Sequence, residues 1–199
     1  MITQKSALQI VFQPLLIALG AGLLIRGTIL QTFTIPSSSM APTLQRGDHI
    51  LAIPYGSPLF GREPARGDVI VFRRGEAGEF FIKRVVAAPG DEIGILPGGF
   101  EENGSVSLHR HLSSASYDLH AGKIMSKDEF FVMGDNWDNS IDSRVFGPIK
   151  RRQIVARASL VFWSSASSEW DINANASPVS DEKLARSGVR WDRIMRLIR

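Results

Sequence analysis

Two short segments of the chain carry a serine and a lysine of the types that can act together in peptide-bond cleavage. Ser39 lies in segment 35–44, which reads IPSSSMAPTL, and Lys83 lies in segment 81–91, which reads FIKRVVAAPGD. A serine hydroxyl attacks a carbonyl carbon only when a nearby group takes its proton, and a lysine that burial holds neutral can do so in place of histidine. Prolines on both sides of the serine restrict the backbone there. The two segments therefore predict a serine nucleophile with a lysine general base.

The base role requires a large change in the lysine pKa. An unperturbed lysine has a pKa of about 10.4, so only about one molecule in 10³ carries a free amine at neutral pH. Lowering that pKa by roughly 3 units disfavours the charged form by about 4 kcal/mol, which burial of a lysine can supply. A strand over residues 80–87 places Lys83 on the same face as Phe81 and Val85. Arg84 faces the other way, and an arginine does not deprotonate at neutral pH.

A third segment, 134–144, is rich in polar residues and reads GDNWDNSIDSR. Together with the serine and lysine segments, it closely resembles the type I signal peptidases, membrane-anchored serine proteases that remove signal peptides from exported proteins. The resemblance covers residues 26–146. Ser38 stands where many relatives have glycine, and Trp137 stands where relatives often have arginine. Neither departure affects the nucleophile or the base.

The resemblance implies roles for further polar residues of the site. The backbone N–H of Ser39 and the hydroxyl of Ser37 would form the oxyanion hole, whose donors stabilise the tetrahedral intermediate. Ser140 would hydrogen-bond Lys83 and orient its amine. The three segments would thus supply nucleophile, base, oxyanion donors and an orienting group.

The same resemblance implies a structural ion pair and a substrate pocket. Asp142 and Arg144 would form the ion pair. Shallow apolar pockets would admit alanine-sized side chains at the first and third positions before the cleaved bond, and five residues would line them: Phe33, Ile35, Met40, Leu44 and Ile82. Because a small pocket discriminates by excluding bulk, the implied substrate carries an Ala-x-Ala type of site.

Length and composition exclude several other classes of protein. The 199 residues have room for one catalytic domain with a sizeable core, plus an anchor or a small insertion. The net charge of +3 is mild, and the middle of the chain has no dense Lys/Arg cluster with interleaved aromatics, so nucleic acid is not an expected partner. The absence of cysteine excludes a disulfide scaffold, thiol catalysis and thiolate metal sites.

The N-terminal part of the chain predicts a transmembrane anchor over residues 7–30, after a short tail over 1–6. In the 19-residue window 7–25 the only polar residues are two glutamines, and a helix of that length nearly spans a hydrocarbon core of roughly 30 Å. The alternative is a cleavable signal peptide, because Lys5 precedes the apolar stretch and residues 18–20 have a small-x-small pattern. The apolar character continues beyond that pattern, which favours a retained anchor.

After the anchor, the sequence predicts short β-strands separated by turns. Segments rich in Val, Ile and Phe alternate with turn signals that contain Gly or Pro, at 50–53, 68–72, 80–87, 129–133 and 154–162. This spacing predicts a mainly β fold, an antiparallel β-barrel-like domain over residues 31–163. By resemblance, this is the catalytic domain of signal peptidase type, and the transmembrane helix precedes it.

Three segments differ from the strand pattern. Residues 98–127 predict a small variable insertion, either a loop or a hairpin, and residues 164–181 predict an exposed connection. Residues 182–199 form a basic C-terminal segment. It predicts a small amphipathic helix, because its apolar residues recur at helical spacing with arginines on the other side: Trp191, Ile194, Met195 and Ile198. The apolar stripe would either pack on the catalytic domain or contact the membrane surface.

Metal and histidine chemistry have little support in the sequence. The aspartates of segment 134–144 lack the central glycine and terminal glutamate of an EF-hand loop. The histidines of the insertion have no spaced partner motif: His109, His111 and His120. A Ser-His-Asp triad of Ser39, His49 and Asp48 rests on composition alone. We therefore expect no metal and no cofactor.

The leading expectation is a membrane-anchored serine endopeptidase that removes N-terminal signal peptides from exported proteins after small residues. By resemblance, its partners are the signal peptides of exported preproteins and the lipid bilayer. It would be a single-pass monomer of the bacterial inner (cytoplasmic) membrane, with the catalytic domain on the periplasmic, extracytoplasmic side. One alternative is a specialised peptidase of the same clan that matures a pilin or conjugation protein. The other is a non-catalytic, membrane-tethered β-domain that binds exported peptides.

Overall fold

The computed structural model of the protein describes residues 12–17, 20, 29–75, 78–96, 99–103, 105–108, 122–165 and 188–198. The strands in these residues are β1 Gln31–Thr34, β2 Asp48–Pro54, β3 Val69–Arg74, β4 Glu79–Ala87, β5 Glu92–Leu96, β6 Gly99–Glu102, β7 Ser105–Leu108, β8 Lys123–Ile124, β9 Glu129–Met133, β10 Ile149–Lys150, β11 Ile154–Ser164 and β12 Arg196–Leu197. A short α-helix covers Ser143–Phe146, and 3₁₀ helices cover Trp137–Asn139, Arg151–Gln153 and Trp191–Arg193. Residues 12–17 are also helical.

Most of the strands belong to one antiparallel sheet in the order β1-β2-β11-β3-β4-β9-β10, and β12 pairs with β11 beside this path. A second sheet has the order β7-β6-β5-β8. The predicted mainly β, antiparallel fold is confirmed. In the part of the chain that the structure describes, β1 and β10 lie at opposite ends of the larger sheet, so its strands do not close into a barrel.

The five segments that the sequence predicts as strands are β2, β3, β4, β9 and β11. In β2 buried residues alternate with partly exposed ones, as expected for a strand with one face on the core. The residues of β3 from Val69 to Phe72 are buried on both faces. Because β3 lies between β11 and β4, it needs the continuous apolar run that its Val and Ile residues supply.

Strand β11 connects the parts of the larger sheet. It pairs with β2 along almost its whole length, from Ala156 to Ser164. Its first half also pairs with β3, as far as Arg157. Beyond the residues that pair with β3, Leu160 and Val161 of β11 pair with β12. The C-terminal segment is therefore part of the sheet that carries the rest of the domain.

A hydrophobic cluster lies beneath the segment that contains Ser39. Ile35, Met40 and Leu44 contribute buried side chains from that segment, and Val69 and Val71 contribute from β3. Burying a side chain of this size stabilises the fold by about 1.5–3 kcal/mol. The loop between β1 and β2 is therefore anchored in the core on both sides of its central serines.

The C-terminal amphipathic helix predicted for the residues around 191–198 is wrong. Trp191–Arg193 forms a single 3₁₀ turn, and Arg196–Leu197 forms β12. The backbone N–H of Met195 donates to the Val161 carbonyl, which satisfies an edge of β11 that a helix would leave unpaired. The helix prediction placed Trp191 on the apolar face and Arg193 on the opposite, basic face. In the structure Arg193 is instead 3% exposed and Trp191 is 75% exposed.

Other predicted segments lie largely outside the described residues. The tail over 1–6 and most of the anchor over 7–30 are among them, as are residues 166–187. Among the described residues, no helix has the length and apolar character needed to cross a bilayer. Within the predicted insertion 98–127, β6 and β7 form an antiparallel hairpin.

Candidate active site

Ser39 lies in the tight loop that joins β1 to β2. The loop turns on backbone hydrogen bonds from the Ala41 N–H to the Ser38 carbonyl (3.0 Å) and from the Leu44 N–H to the Met40 carbonyl (2.9 Å). Met40 is 1% exposed, whereas Ser39 is partly exposed. The loop thus buries the residue that follows the serine and leaves the serine accessible.

The structure brings Ser39 and Lys83 into direct contact. Lys83 Nζ lies 2.6 Å from Ser39 Oγ, although the two residues are 44 positions apart in the chain. Lys83 is 4% exposed and lies on β4, opposite Ile70 of β3. The neutral amine of a lysine has one lone pair, which can accept the hydroxyl proton across this distance.

The surroundings of Lys83 favour its neutral form. Burial lowers the pKa of Lys83 below the ordinary lysine value of 10.5 and outweighs the charge of Asp142, which raises it. The charge of Arg144 lowers the pKa further, and that of Asp135 raises it. The direction of the net change is the one that a general base near neutral pH requires.

Ser37 lies next to Ser39. Its hydroxyl oxygen is 3.2 Å from Ser39 Oγ, and it lies on the exposed side of the loop. A hydroxyl at this place can donate to an oxygen atom that develops negative charge beside Ser39. The geometry is compatible with the oxyanion role that the sequence predicts for Ser37.

Segment 134–144 holds the Ser39 loop through two asparagines. The Asn136 backbone N–H donates to the Ser39 carbonyl at 3.0 Å, and its side-chain Nδ2 donates to the Ser38 carbonyl at 3.1 Å. Asn139 Nδ2 donates to Ser38 Oγ at 3.1 Å. Neither asparagine had a role predicted from the sequence. Their presence in a polar segment that follows a strand was the only available signal.

Gly134 and Asp142 fix the start of this segment. A methyl group at Gly134 would collide with Ser140 Oγ and with the Ser39 carbonyl oxygen, so only glycine lets the two segments approach this closely. The Gly134 N–H donates to Asp142 Oδ2 at 3.0 Å. Asp142 also pairs with Arg144, with Nε–Oδ1 and Nη2–Oδ2 distances of 2.8 Å. The ion pair expected from the resemblance therefore forms, and it is buried.

The hydrogen bond expected between Ser140 and Lys83 does not form. Ser140 Oγ is buried and has no hydrogen-bond partner among the described residues. The amine of Lys83 instead contacts Ser39, and the Ser140 hydroxyl lies against Gly134. A buried hydroxyl without a partner is costly, and in a native site it requires an explanation.

All the apolar residues predicted to line the substrate pocket belong to one cluster. Ile35, Met40 and Leu44 are buried in it, and Phe33 and Ile82 pack against it from partly exposed positions. The buried three support the loop from below. Phe33 and Ile82 are the members of the set that are open to a substrate in this structure.

The alternative catalytic residues are engaged elsewhere. His49 Nδ1 lies 3.0 Å from Thr34 Oγ1, across the pairing of β1 with β2. Asp48 is paired with Arg193 and not with His49. Among the residues that the structure describes, no group of three His, Asp or Glu residues could hold a metal ion. The three histidines of the insertion lie outside those residues.

A model of the family "Signal peptidase, peptidase S26" matches residues 8–163, which include Ser39, Lys83 and segment 134–144. A probable signal peptidase I-2 of Synechocystis sp. is 34% identical over 70% of this chain and 66% of its own length, so the chain spans just under two thirds of that relative. Signal peptidase I of Leptolyngbya laminosa is 33% identical over 70% of this chain and 71% of its length. Signal peptidase IB of Staphylococcus aureus is 30% identical over 73% of this chain and 84% of its length.

These matches confirm the resemblance that the three segments of the sequence predicted. They also confirm the prediction of an enzyme of the signal peptidase type. The matched region covers both members of the Ser39–Lys83 contact and the segment that holds the Ser39 loop. The chain therefore belongs to the signal peptidase family, peptidase S26.

Proposed function

We propose that the protein is a serine endopeptidase that removes N-terminal signal peptides from exported preproteins by means of a Ser39/Lys83 pair. The observation that carries this proposal is the 2.6 Å distance between Ser39 Oγ and a lysine that is 4% exposed. Such a contact supplies both the nucleophile and a base whose charged form is disfavoured. Family membership adds the class of substrate.

The proposed reaction has two steps that share one base. Ser39 Oγ attacks the scissile carbonyl carbon while Lys83 Nζ takes the hydroxyl proton. The Ser39 N–H and the Ser37 hydroxyl stabilise the resulting oxyanion. Lys83 then gives its proton to the departing amine nitrogen, which leaves an ester on Ser39. A water molecule attacks the ester, Lys83 takes a proton from that water, and the carboxylic acid is released as Ser39 regains its hydrogen.

The proposed specificity is for small side chains at the first and third positions before the cleaved bond. Phe33 and Ile82 flank the exposed edge of the cluster that supports the nucleophile. Phe33 packs edge-on against Phe80, with ring centroids 5.3 Å apart. Rigid aromatic and β-branched walls leave little room for bulky residues. The wider set of Ile35, Met40 and Leu44 shapes the floor of these pockets.

The proposed location follows from the chain preceding β1. Residues 7–30 would anchor the protein in the bacterial inner membrane with a single span, and the domain 31–163 would act on the extracytoplasmic side as a monomer. The loop that carries Ser39 begins right after β1, so the site would lie close to the membrane surface where a preprotein emerges. Protection of the domain from protease in right-side-out but not in inside-out vesicles would contradict this orientation.

A cleavage assay tests the proposed activity. The full chain in detergent micelles should cut a peptide with an Ala-x-Ala site once, directly after the second alanine. Ser39→Ala and Lys83→Ala should each lose at least about 10³-fold in kcat/KM, and the double variant should be little worse, because the two groups act as one unit. Ser126→Ala and Lys127→Ala change exposed residues and serve as matched controls.

Three outcomes would decide between this proposal and its alternatives. Substantial cleavage by Lys83→Ala at pH 7 would eliminate the proposed base. Cleavage of a pilin-like or conjugation precursor without cleavage of general Ala-x-Ala peptides would favour the specialised peptidase. Peptide binding by a folded wild-type protein that cleaves nothing would favour the non-catalytic domain.

A further inference from the structure

The last described segment of the chain, residues 188–198, contacts the loop that carries the nucleophile. We call this segment the C-terminal clasp. Its backbone pairs with β11, where the Met195 N–H donates to the Val161 carbonyl at 2.7 Å and the Ile198 N–H donates to the Ser159 carbonyl at 3.0 Å. The clasp begins beyond residue 163, where the match to the family model ends.

The centre of the contact is a buried carboxylate at the end of the Ser39 loop. Asp48 is the first residue of β2 and is 0% exposed. Arg193 of the clasp meets it with Nη2 at 2.6 Å from Oδ2 and Nε at 3.0 Å from Oδ1. Arg190 Nη2 lies 3.2 Å from Oδ1, and Ser164 Oγ donates to Oδ1 at 2.6 Å. Arg193 is itself buried, so removal of either Arg193 or Asp48 would leave the other as a buried charge without its partner.

The same arginines reach past Asp48 to the loop itself. Arg193 Nη2 donates to the Thr43 carbonyl at 3.0 Å. Arg190 Nη1 donates to Gln45 Oε1 at 2.8 Å, and Arg190 Nη2 donates to the Arg46 carbonyl at 2.6 Å. Asp48 completes the set by accepting the Gln45 N–H at 2.8 Å. The second half of the loop is thus held by side chains from the far end of the chain.

These contacts complement those on the other side of the nucleophile. Asn136 holds the carbonyls of Ser38 and Ser39. The clasp holds the stretch from Thr43 to Asp48, and the buried side chain of Met40 lies between the two attachments. Positioning a nucleophile to within a fraction of an ångström has a large effect on rate, so both attachments bear on the chemistry.

We propose that Arg190 and Arg193 are positioning residues for the reaction, which hold the Ser39 loop in its reactive place through Asp48 and the loop carbonyls. The catalytic part of this inference rests on the proposed peptidase activity. The physical part, that the clasp restrains residues 40–48, is independent of any substrate. The two parts can therefore fail separately.

The kinetic test uses the full chain in detergent micelles and an Ala-x-Ala peptide. Arg193→Gln should lower kcat by about 10- to 10²-fold and Arg190→Gln by about 3- to 10-fold, with KM changed less than about 3-fold. Arg193→Lys should recover part of the loss, since it restores the charge but only one bond. Arg196→Gln alters an exposed arginine of the same clasp and should leave kcat unchanged.

A pH profile separates positioning from a change in the base. The charges that shift the Lys83 pKa are those of Asp142, Arg144 and Asp135 and not those of the clasp arginines, so the pH at which kcat is half-maximal should not move in any clasp variant. A loss carried by KM alone, or one that merely tracks the unfolded fraction measured by circular dichroism, would overturn the positioning role. Full kcat in folded Arg190→Gln and Arg193→Gln would overturn it as well.

Amide hydrogen exchange supplies the readout that needs no activity. In Arg193→Gln, or in Arg190→Gln if the first variant does not fold, the amides of residues 40–48 should exchange at least about 10-fold faster than in wild type. Arg196→Gln should match wild type. If the wild type cleaves no peptide, the proposed function fails while exchange still decides the restraint. Unchanged exchange in both folded arginine variants would refute the clasp.

Discussion

At the scale of single residues, the site depends on a buried lysine, Lys83, whose amine makes no ion pair with a carboxylate among the described residues. Lys83 contacts Ser39, and the charges that shift its pKa are those of Asp142, Arg144 and Asp135. Asp135 is itself held by Arg84, the neighbour of Lys83 on the opposite face of β4. Because Asp135 pairs with Arg84, the Lys83 amine remains available for proton transfer with Ser39.

The lowered pKa of Lys83 predicts two effects of pH. Cleavage should rise with pH through that pKa, because the free amine is the working form. Burial of the charged form also costs stability, and this cost disappears as pH rises from the folded pKa toward the unfolded value near 10.5. Lys83→Met should therefore melt at a higher temperature than wild type at pH 6, with the difference narrowing by pH 10.

Thermal unfolding by circular dichroism and initial rates over pH 6–9 provide the measurements. Lys127→Met, at an exposed lysine, should show no such pH-dependent difference in melting temperature. A rate that falls steadily with pH in a folded enzyme would contradict the base role of Lys83.

Ser140 is the second residue whose environment predicts an effect. We propose that its buried, unpartnered hydroxyl orients the Lys83 amine at the stages of the reaction when Ser39 no longer contacts that amine. Ser140→Ala should then lower kcat by roughly 10- to 10³-fold with little change in KM, since an orienting bond acts mainly in the transition state. The free energy of unfolding should stay the same or rise by about 1 kcal/mol, because the substitution breaks no existing bond and removes a buried hydroxyl that has no partner.

Steady-state kinetics and urea unfolding of Ser140→Ala test this role. If Ser140→Ala cleaves with the wild-type kcat while the single variant Lys83→Ala is inactive, Ser140 is only structural. A stability loss of several kcal/mol would indicate a hydrogen bond that this structure does not contain.

At the scale of elements, the reactive geometry is set where the β1–β2 loop meets the segment after β9. The two are held together by the Asn136 contacts and by the close approach at Gly134. Neither the β1–β2 loop nor the segment after β9 could by itself hold Ser39 against Lys83. The loop has no regular secondary structure from Ile35 to Gly47, and Lys83 is on a different strand, β4. The strand order β3-β4-β9 brings Lys83 on β4 and the segment that follows β9 side by side.

Gly134→Ala is the substitution that should disturb this junction most directly. The new methyl group would push against the Ser39 carbonyl and Ser140, which should lower kcat by about 10- to 10²-fold. Overpacking should also reduce the free energy of unfolding by about 1–3 kcal/mol. Gly56→Ala is the matched control, because a methyl group there meets nothing within 4 Å. Equal kcat values for the two variants would disprove the steric argument.

At the scale of the whole molecule, the beginning and the end of the described domain meet at Asp48. Burial by itself raises the pKa of Asp48, but the hydrogen bonds from Arg193, Gln45 and Ser164 bring it below the ordinary value of 3.8. A carboxyl whose folded pKa is depressed contributes stability above the unfolded pKa and loses it as pH falls through the folded pKa. The connection between the two ends should therefore weaken only in acid.

Asp48→Asn should destabilise the protein by about 3–5 kcal/mol at pH 7, because it leaves Arg193 buried without its counter-charge. The difference from wild type should narrow below about pH 4, where the Asp48 carboxyl takes up a proton in the unfolded chain but is still ionised in the folded protein. Urea unfolding at pH 7 and at pH 3 measures both values. Asp192→Asn, at an exposed clasp residue, is the control. A difference that stays constant with pH would contradict the ionised state of Asp48.

The sequence by itself determined the family and five of the eight strands of the larger sheet, and it predicted a serine nucleophile and a lysine base. These features are local: a serine between two prolines, a lysine in an alternating apolar strand, and a polar segment ending in Asp142 and Arg144. Such features can be recognised from the types and spacing of residues that are close together in the chain. The predicted strands are all present for the same reason.

Only the tertiary structure decided how the site is held. The bonds from Asn136 and Asn139 to Ser38, and from the clasp to Asp48, join residues roughly a hundred or more positions apart, so no local pattern announces them. The missing Ser140–Lys83 bond depends on side-chain placement within a packed junction. The prediction of a C-terminal helix failed because apolar periodicity does not show two tertiary contacts. Arg193 forms a buried ion pair with Asp48, and β12 pairs with an edge of β11.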